Sequence, residues 1–334
     1  MDPRILHRLR CPVCGEPLAE TTAGTARALR CPRRHSFDIA RQGYVNLLAG
    51  RAPHSGDTAE MVAARADFLA AGHYDVISAA LAAAATDAVG RLLATTATRP
   101  RPTPPAPHPP TDTTVSGQSR RTDGGAAEQT TAAVRAEPAS DVDAYPLVVD
   151  AGAGTGRYLG AVLAALPDAV GLALDVSKPA LRRAARAHPR AAAALADTWQ
   201  RLPLADASTA VLLNVFAPRN GAEFHRVLDP AGTLLVVTPD TDHLAELVDA
   251  LDLLRVDPDK ADRVTDSLGG HFTPAGSAVH RAQLTLTRPE AASLVGMGPS
   301  AWHTAPDALA ARLAALPEPV RVTVAVRVDA YRPH

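Results

Sequence analysis

The stretch LVVDAGAGTGRYL, residues 147–159, decides the fold of this chain of 334 residues. An apolar run that ends on an acidic residue predicts a buried strand, and the glycines that follow predict a tight turn into a helix. Gly152, Gly154 and Gly156 would let a ligand approach the backbone, and the helix N-terminus beyond them attracts negative charge. On its own, this glycine spacing is weak support for a nucleotide site.

Acidic residues after the following strands strengthen that signal. Asp175 comes 19 residues after Gly156, where an acidic group accepts hydrogen bonds from ribose hydroxyl groups. Asp197 follows the next strand, where it can contact the adenine amino group while Thr198 stacks or bonds beside it. A dinucleotide site favours G-x-G-x-x-G, whereas this chain has G-x-G-x-G after Asp150. The combination is typical of class I S-adenosylmethionine-dependent methyltransferases.

Short apolar runs alternate with helix-length segments throughout this block, which predicts a parallel, doubly wound sheet. The predicted strands are 147–150, 170–176, 192–196, 210–216 and 233–238. Helical periodicity predicts helices over 58–71 and 74–94, and β-like stretches at 278–287 and 320–331 complete or extend the sheet. We therefore predict an α/β fold with a Rossmann-like, doubly wound sheet.

All three cysteines lie in one window near the N-terminus, in C-P-V-C (Cys11 and Cys14) and C-P-R-R-H (Cys31 and His35). Two close ligand pairs separated by 16 residues predict a tetrahedral zinc knuckle. A complete set of four ligands indicates a structural zinc ion, because a catalytic zinc keeps one position open. Zinc would fold a segment that is too short to make its own core.

Charge is distributed unevenly along the chain. Residues 1–50 hold eight arginines and four carboxylates, a net charge of +4, although the whole chain carries −1. A basic N-terminal module on an acidic body predicts a nucleic-acid contact at that end. Arg33 and Arg34 lie between two zinc ligands and are predicted to face RNA phosphates, with a solvated charge pair as the alternative.

The sequence also predicts where the protein works. No apolar run reaches the roughly 18 residues of a membrane span, and no leader of roughly 7–15 apolar residues opens the chain. We therefore expect a cytoplasmic protein with no membrane partner, and thiols rather than disulfides.

Residues 96–144 contain no Leu, Ile, Phe, Met or Trp, which predicts a disordered Pro/Thr/Ala-rich insertion. A proline-rich docking site for a partner is the alternative. The predicted division of the chain is a zinc-binding RNA-recognition domain at 1–50, a helical connection at 51–95, the insertion at 96–144 and an S-adenosylmethionine-binding methyltransferase domain at 145–334.

The order of these motifs resembles the 23S rRNA (guanine-N1)-methyltransferase family, which includes housekeeping enzymes and enzymes of tylosin and mycinamicin resistance. Besides the zinc and glycine motifs, the resemblance rests on connecting segments. They include GYVNLL at 43–48, GDTAEM at 56–61, Arg65, GHY at 72–74, LDVSK at 174–178, FAP at 216–218 and Ala301-Trp302. The resemblance covers nearly the whole chain except 96–144.

The resemblance implies a zinc domain that binds a hairpin in domain II of 23S rRNA, near the peptide exit tunnel. It also implies a catalytic domain that methylates N1 of a loop guanine, and a homodimer. We expect structural Zn²⁺ on the four knuckle ligands and S-adenosylmethionine as methyl donor. The residues expected to hold this cofactor are Asp150, Gly152, Gly154, Gly156, Tyr158, Asp175, Val176, Asp197, Thr198, Asn214 and His243.

Guanine N1 lies on the Watson–Crick edge, so the target must be unpaired or flipped out of its stack. The segment after the fourth strand is expected to meet it. Phe216 could stack on the base, Pro218 could stiffen the loop and Asn214 could offer its amide to the guanine edge. Core packing is the alternative for Phe216.

Removal of the N1 proton leaves two candidates, Asp240 and His243, which follow the fifth strand. A helix-capping Asp240 and a surface His243 are equally good interpretations. Trp302 could line an RNA cleft or simply pack.

Two other classes of protein fit parts of the sequence. A methyltransferase of small molecules would leave the zinc knuckle and its basic segment without a role. An RNA-binding protein with an inactive methyltransferase domain would not need the intact set of acidic residues.

Overall fold

A computed structural model describes residues 1–23, 26–50, 56–97, 145–253, 255, 257, 260–297 and 306–334. The predicted insertion at 96–144 lies outside these residues, apart from Thr96 and Ala97, which belong to a helix, so the disorder predicted there stays a prediction.

The chain begins with a small antiparallel module. Helix α1 (Pro3–Leu6) precedes strands β1 (Ala19–Ala23), β2 (Ala26–Arg30) and β3 (Ser36–Asp38), which form a three-stranded sheet in that order. Asp2 caps α1 by accepting a hydrogen bond from Arg4 N at 2.9 Å. The next strand, β4 (Tyr44–Asn46), leaves this sheet and joins the main one.

The elements of the main body follow in chain order. They are α2 (Ala59–Ala70), α3 (Asp75–Ala97), β5 (Leu147–Ala151), α4 (Arg157–Ala165), β6 (Val170–Asp175), α5 (Lys178–Ala184), β7 (Ala191–Leu195), β8 (Thr209–Val215), α6 (Gly221–Val227), β9 (Leu228–Pro239), α7 (Ala245–Leu251), α8 (Lys260–Leu268), β10 (Phe272–Leu286), α9 (Arg288–Gly296), α10 (Pro306–Ala314) and β11 (Val320–Pro333).

Eight strands form the main sheet in the order β10-β11-β9-β8-β5-β6-β7-β4. The six strands from β9 to β4 pair in parallel, and β11 runs antiparallel to both of its neighbours. The chain winds one way from β5 through β6 to β7 and then crosses back to β8, so a topological switch point lies between β5 and β8. Ligands of doubly wound sheets bind at such a point, beyond the carboxyl ends of the strands.

This architecture confirms the predicted α/β, doubly wound fold. All five predicted strands are present, and the stretches at 278–287 and 320–331 lie in β10 and β11. Strand β9 starts at Leu228 rather than 233, because the chain passes directly from α6 into the sheet. Strand β4 was not predicted, since three residues are too few to show alternation.

The sheet buries a core on each face. Along β5, Val148 joins the cluster beneath α3 and α4, whereas Leu147 and Val149 join the cluster on the other side. That second cluster also contains Cys11 and Cys31 of the N-terminal module. The small module therefore shares a core with the main sheet and does not pack as a separate unit, although the predicted domain boundaries stay a prediction.

One helix corrects the expectation about membrane spans. Within α3, residues 75–95 are long and apolar enough to cross a membrane by length and composition, because alanine dominates the helix. Ile77, Leu81 and Ala85 lie fully buried in the first core cluster. One face of α3 thus packs against α4 and the sheet, and a third of its apolar window is buried.

Candidate functional site: a zinc centre and a nucleotide edge

The four predicted metal ligands converge. Cys11 Sγ and Cys31 Sγ lie 3.5 Å and 3.4 Å from His35 Nδ1, and Cys14 Sγ lies 3.7 Å from Cys31 Sγ. Tetrahedral zinc, with bonds of about 2.3 Å to sulfur and about 2.0–2.1 Å to nitrogen, places its ligand atoms about 3.5–3.8 Å apart. The donor set and its spacing therefore fit a structural Zn²⁺ site.

The zinc knuckle also carries the two arginines predicted to face RNA. Arg33 and Arg34 are exposed, and Arg34 adopts a left-handed φ of 66° while its N–H donates to Cys31 O at 2.9 Å. Because Cys31 is a ligand, the metal would hold this turn rigid. Their contact with RNA stays a prediction.

The knuckle docks on the loop that follows β7. Arg10 N donates to Pro203 O at 3.0 Å, and Ala205 N donates to Arg8 O at 2.8 Å. Leu9 and Leu204 form an antiparallel bridge between these bonds. Residues 202–205, here called the docking segment, follow shortly after Asp197 and Thr198. The N-terminal module with its four zinc ligands, here called the zinc module, therefore meets on one loop with the carboxyl ends of β5 to β8, here called the nucleotide edge.

At the nucleotide edge, two glycines are required by the surroundings. Gly156 caps α4 with a φ of 77°, and a Cβ there would lie 2.9 Å from Ala184 Cα. Gly152 has a φ of 84°, and a Cβ on it would overlap the side chain of Ala217. The strand-to-helix turn thus admits only glycine at these positions, with Gly154 between them.

Asp175 ties this turn to the next one. Its Oδ2 accepts from Gly154 N at 2.8 Å, and its Oδ1 accepts from Ser177 N at 2.7 Å. Burial raises the pKa of Asp175, and these two N–H groups oppose the rise. A carboxylate has about four lone-pair sites, so capacity remains for the two hydroxyl groups of a ribose.

Asp150 is fully buried at the switch point. Neither of its side-chain oxygens has a hydrogen-bond partner among the described residues. Burial, followed by the charge of Asp175, raises the pKa of Asp150 to about 7. A buried carboxylate without a partner is costly, which indicates that a bound ligand completes the site.

Asp197 repeats this arrangement two strands away. Its Oδ1 accepts from Trp199 N at 3.0 Å, whereas its buried Oδ2 has no partner within the described ranges. Thr198 beside it is buried, and Trp199 is 55% exposed. An unpaired acceptor at this place fits the amino group of an adenine.

The remaining predicted cofactor residues lie at the same edge. Tyr158 is in the first turn of α4, and burial raises the pKa of its hydroxyl. Val176 is half-buried between Asp175 and the helix α5.

The loop after β8 combines a buried amide with an exposed ring. Asn214 Nδ2 donates to Ala151 O at 3.2 Å and to Pro218 O at 2.8 Å, so this amide spans two strand ends. Phe216 has a left-handed φ of 51°, and its side chain is 44% exposed. Left-handed backbone is unusual for a bulky residue and often marks a functional position.

His243 and Tyr74 are buried beside Phe216. The His243 ring centre lies 6.1 Å from the Phe216 ring centre and 6.2 Å from the Tyr74 ring centre. His243 Nδ1 accepts from Ala325 N at 3.2 Å. Tyr74 is not among the predicted site residues, and its one signal in the sequence is the GHY motif at 72–74.

Arg65 is a second residue near this site that is not among the predicted site residues. It forms an ion pair with Asp57, and its Nη2 donates to Met297 O at 3.1 Å. Its Nη1 lies near the open side of Gly154, 3.6 Å from where a Cβ would stand. The segment that contains Arg65, which precedes β5 in the chain, thus covers the glycine turn.

The two candidate proton acceptors differ in surroundings. Asp240 forms ion pairs with Arg281 at 2.7 Å and Arg327 at 3.3 Å, whereas His243 lies against Phe216. The interpretation of His243 as a surface residue is wrong, because packing against these aromatic rings buries its side chain. Trp302, predicted to line an RNA cleft, lies outside the described residues.

Comparison with known proteins agrees with this geometry. Residues 9–55 match the zinc ribbon family described as "RlmA, N-terminal". The chain is 62% identical over 334 residues, all of both chains, to a Micromonospora griseorubida protein assigned as a 23S rRNA (guanine-N(1)-)-methyltransferase. It is 44% identical over 333 residues, 100% of this chain and 99% of the other, to the 23S rRNA (guanine(748)-N(1))-methyltransferase of Streptomyces fradiae.

Among solved structures, an S-adenosylmethionine-dependent methyltransferase from Aquifex aeolicus superposes with a TM-score of 0.33 and 14% identity, over 40% of this chain and 75% of its own.

Strand order, glycine turn and acidic strand ends define a class I S-adenosylmethionine-dependent methyltransferase that carries a zinc ribbon. Full-length identity makes the assignment narrower. The chain belongs to the 23S rRNA (guanine-N1)-methyltransferase family.

Proposed function

We propose that this protein methylates N1 of guanine 748 in 23S rRNA, in the hairpin of domain II near the peptide exit tunnel. The position is the one in the name of the Streptomyces fradiae relative, which aligns over the full length of the chain. The observation that carries the proposal is the shared core of zinc module and catalytic sheet, since it joins a basic module rigidly to a methyl-transfer edge.

The residues at the switch point fit S-adenosylmethionine, whose sulfonium supplies an electrophilic methyl group. Asp175 would bind the ribose hydroxyl groups, and the unpaired Oδ2 of Asp197 would accept from the adenine amino group. Asp150 would face the positively charged methionine end across the glycine turn, where its unpaired oxygens are placed. Gly152 and Gly156 fix the shape of the turn by packing closely on Ala217 and Ala184, and Gly154 leaves its backbone open between them.

The loop after β8 would position the guanine. Phe216 offers an exposed ring for stacking on a base that has left its helix. Asn214 is fully buried and its NH₂ group is committed to two carbonyl oxygens, so we assign it a positioning role toward Pro218 and Phe216. Alignment of N1 with the methyl group then depends on how rigid this loop is.

His243 does not suit the role of general base in this geometry. A neutral imidazole that accepts a hydrogen bond at Nδ1 carries its proton on Nε2, which can therefore donate and cannot accept. Asp240 is engaged in ion pairs with Arg281 and Arg327. We propose that the N1 proton leaves to solvent and that His243 contributes to binding of the cofactor or the base.

The test is a modification map of 23S rRNA from a host that lacks this activity, with and without the gene. Methylation of N1 blocks the pairing edge, so primer extension should stop one nucleotide before guanine 748 only when the gene is present. An Asp197→Asn variant is the control, because it changes one atom at the cofactor edge and should weaken the stop. Identical maps with and without the gene would exclude the proposed function.

Three further properties belong to this proposal. We propose that the enzyme acts in the cytoplasm, where 23S rRNA is assembled, and that it forms a homodimer, which light scattering during gel filtration would test. We also propose that methylation at the exit tunnel lowers sensitivity to tylosin-type macrolides. Unchanged inhibitory concentrations in cells with complete methylation would refute the last point.

A small-molecule methyltransferase is the second candidate. The exposed Phe216 at an open edge of the sheet would serve a flat aromatic substrate as well. Such an enzyme would not lose activity when salt weakens RNA binding, so a salt series separates the two.

A further inference from the structure

One segment of the acidic body is strongly basic. Residues 176–196 hold five cations and no carboxylate, while the chain outside the first 50 residues carries a net charge of −5. They span α5, the turn after it and β7. Of these cations, Arg190 supports the fold, because its guanidinium donates to the carbonyls of Leu163, Leu166 and Ala169.

Three of the other cations line an open surface cavity. Arg182, Arg183 and Arg186 line a space of about 430 Å³ together with Ala59, Val62 and Pro179. All three arginines are exposed. None of them forms an ion pair with any residue that the structure describes, although several arginines of the main body do.

Three unpaired cations around one cavity repel each other, and an anion placed between them removes that repulsion. Guanidinium groups bind phosphate oxygens with two parallel hydrogen bonds, which makes arginine the usual ligand for a phosphodiester. Ala59, Val62 and Pro179 add apolar contact to the lining, which a sugar ring can use. The volume lies within the range of small-ligand sites, about 300–1,000 Å³.

The α5 region that carries these arginines contacts the chain just after β3 of the N-terminal module. A Cβ built on Gly43 would lie 3.5 Å from Ala185 Cβ, so the turn after Arg41 rests on the end of α5. Arg41 is exposed beside this contact. Exposed arginines therefore lie on both sides of this contact, Arg41 before it in the chain and the three arginines of the α5 region after it.

We propose that Arg182, Arg183 and Arg186 bind the sugar–phosphate backbone of the rRNA substrate, as a second contact outside the zinc module. The site recognises phosphodiester charge and not base identity, so it contributes affinity and orientation. This inference rests on the proposed function, because it takes rRNA as the occupant. The three cavity arginines are far in the sequence from the predicted RNA contacts Arg33, Arg34 and Trp302.

The test compares two triple variants of the full-length, zinc-loaded protein. R182A/R183A/R186A removes the cavity arginines, and R91A/R321A/R332A removes three exposed arginines elsewhere. Binding of a labelled RNA hairpin with the domain II sequence is measured over a salt series, and S-adenosylmethionine binding by calorimetry. Each lost phosphate contact lowers the slope of log K against log salt by about 0.7–0.9.

We expect the cavity variant to lose about two units of salt slope and at least tenfold in RNA affinity at low salt, while its cofactor affinity and melting temperature match those of the control. The KM for RNA should rise while kcat at saturating RNA stays unchanged. Equal slopes in the two variants would overturn the inference. It would also be overturned if the cavity variant lost only the stabilisation of the protein by inorganic phosphate while its RNA binding stayed unchanged. Failure of the proposed function has a different signature, since the unmodified protein would then neither bind nor methylate the hairpin.

Discussion

The zinc centre and the nucleotide edge are built in opposite ways. Four zinc ligands lie within 25 residues, and their donor atoms come within 4.8 Å of one another. The nucleotide edge takes its polar groups from the ends of several strands, and it leaves oxygens of Asp150 and Asp197 buried without partners among the described residues. The zinc site is complete once the metal binds, whereas the nucleotide edge retains unsatisfied acceptor oxygens for a ligand that binds reversibly.

Loss of a zinc ligand tests the first half of this comparison and should have the largest effect. Structural zinc supplies an apparent ~10–16 kcal/mol to small zinc-folded peptides, so Cys31→Ser should release the metal and unfold the N-terminal module. We expect RNA affinity to fall by about 100-fold or more. Metal content by atomic emission and RNA binding are the measurements, with Val13→Ala, in the exposed tip of the first knuckle, as the matched control. Full zinc occupancy in the serine variant would contradict the ligand assignment.

The nucleotide edge should be most sensitive where the backbone itself is required. In Gly152→Ala the new methyl group overlaps Ala217, and the backbone must hold a φ of 84°. We expect cofactor affinity to fall by about 100-fold, because steric and backbone strain cost about 1–3 kcal/mol each.

The same substitution in open space gives the control. Gly90 lies in α3 with no atom near its Cβ position, so Gly90→Ala should raise the free energy of unfolding by about 0.5–1 kcal/mol. If Gly152→Ala also raised the free energy of unfolding, Gly152 would not be under steric constraint.

Replacement of Asp175 removes two charge-assisted hydrogen bonds as well as the expected ribose contact. Asp175→Asn should weaken S-adenosylmethionine binding by about 10- to 100-fold, since hydrogen bonds to charged groups contribute about 1.5–3 kcal/mol. Asp229→Asn changes a carboxylate near the start of β9 that accepts from Ala231 N at 2.7 Å, and it should leave cofactor binding unchanged. Calorimetric titration of both variants decides; equal affinities would remove Asp175 from the site.

The raised pKa of Asp150 predicts that stability and cofactor binding depend on pH in opposite directions. Its pKa of about 7 in the folded protein exceeds the usual carboxyl value near 3.8. The folded state therefore gains from the bound proton, so this contribution to stability is present below pH 4 and is lost as the pH rises to 7. Binding of the positively charged cofactor should instead strengthen as Asp150 ionises between pH 6 and 8.

The Asp150→Asn variant separates this group from the others. It should lack both pH dependences, as measured by denaturant unfolding without cofactor and by calorimetry with it. A wild-type profile in the variant would show that another group titrates.

The smallest expected effect lies where the two sites meet. Arg226 donates to the carbonyls of Leu202 and Leu204 in the docking segment and pairs with Glu223. Lysine keeps the charge but cannot reproduce the forked geometry, so Arg226→Lys should weaken cofactor binding about two- to fivefold with zinc content unchanged. Arg321→Lys, at the exposed start of β11, should change neither.

Local patterns predicted the parts of the molecule that are local. The zinc ligands and the strands that precede Asp150, Asp175 and Asp197 follow from spacing and apolar runs, because each element carries its own signal. The fold was predictable for the same reason, since a parallel doubly wound sheet follows from alternating strands and helices.

Contacts between distant segments could not be read in this way. Tyr74 and Arg65 reach the nucleotide edge from segments that precede it in the chain, and no spacing rule links them to the glycine turn. Strand β4 joins β7 across more than a hundred residues. The buried hydrogen bonds of Asn214 were equally invisible, because an amide near a strand end gives no indication of its partners.

The docking segment makes metal and cofactor thermodynamically dependent on each other. If zinc holds residues 202–205 in the conformation that completes the adenine end, zinc must tighten cofactor binding, and linkage requires that the cofactor tighten zinc binding by the same factor. Release of zinc to a chelator should then slow when S-adenosylmethionine is saturating. In a cell short of zinc, abundant S-adenosylmethionine would keep the zinc module folded. The enzyme would then respond to the supply of the metal and of the methyl donor together.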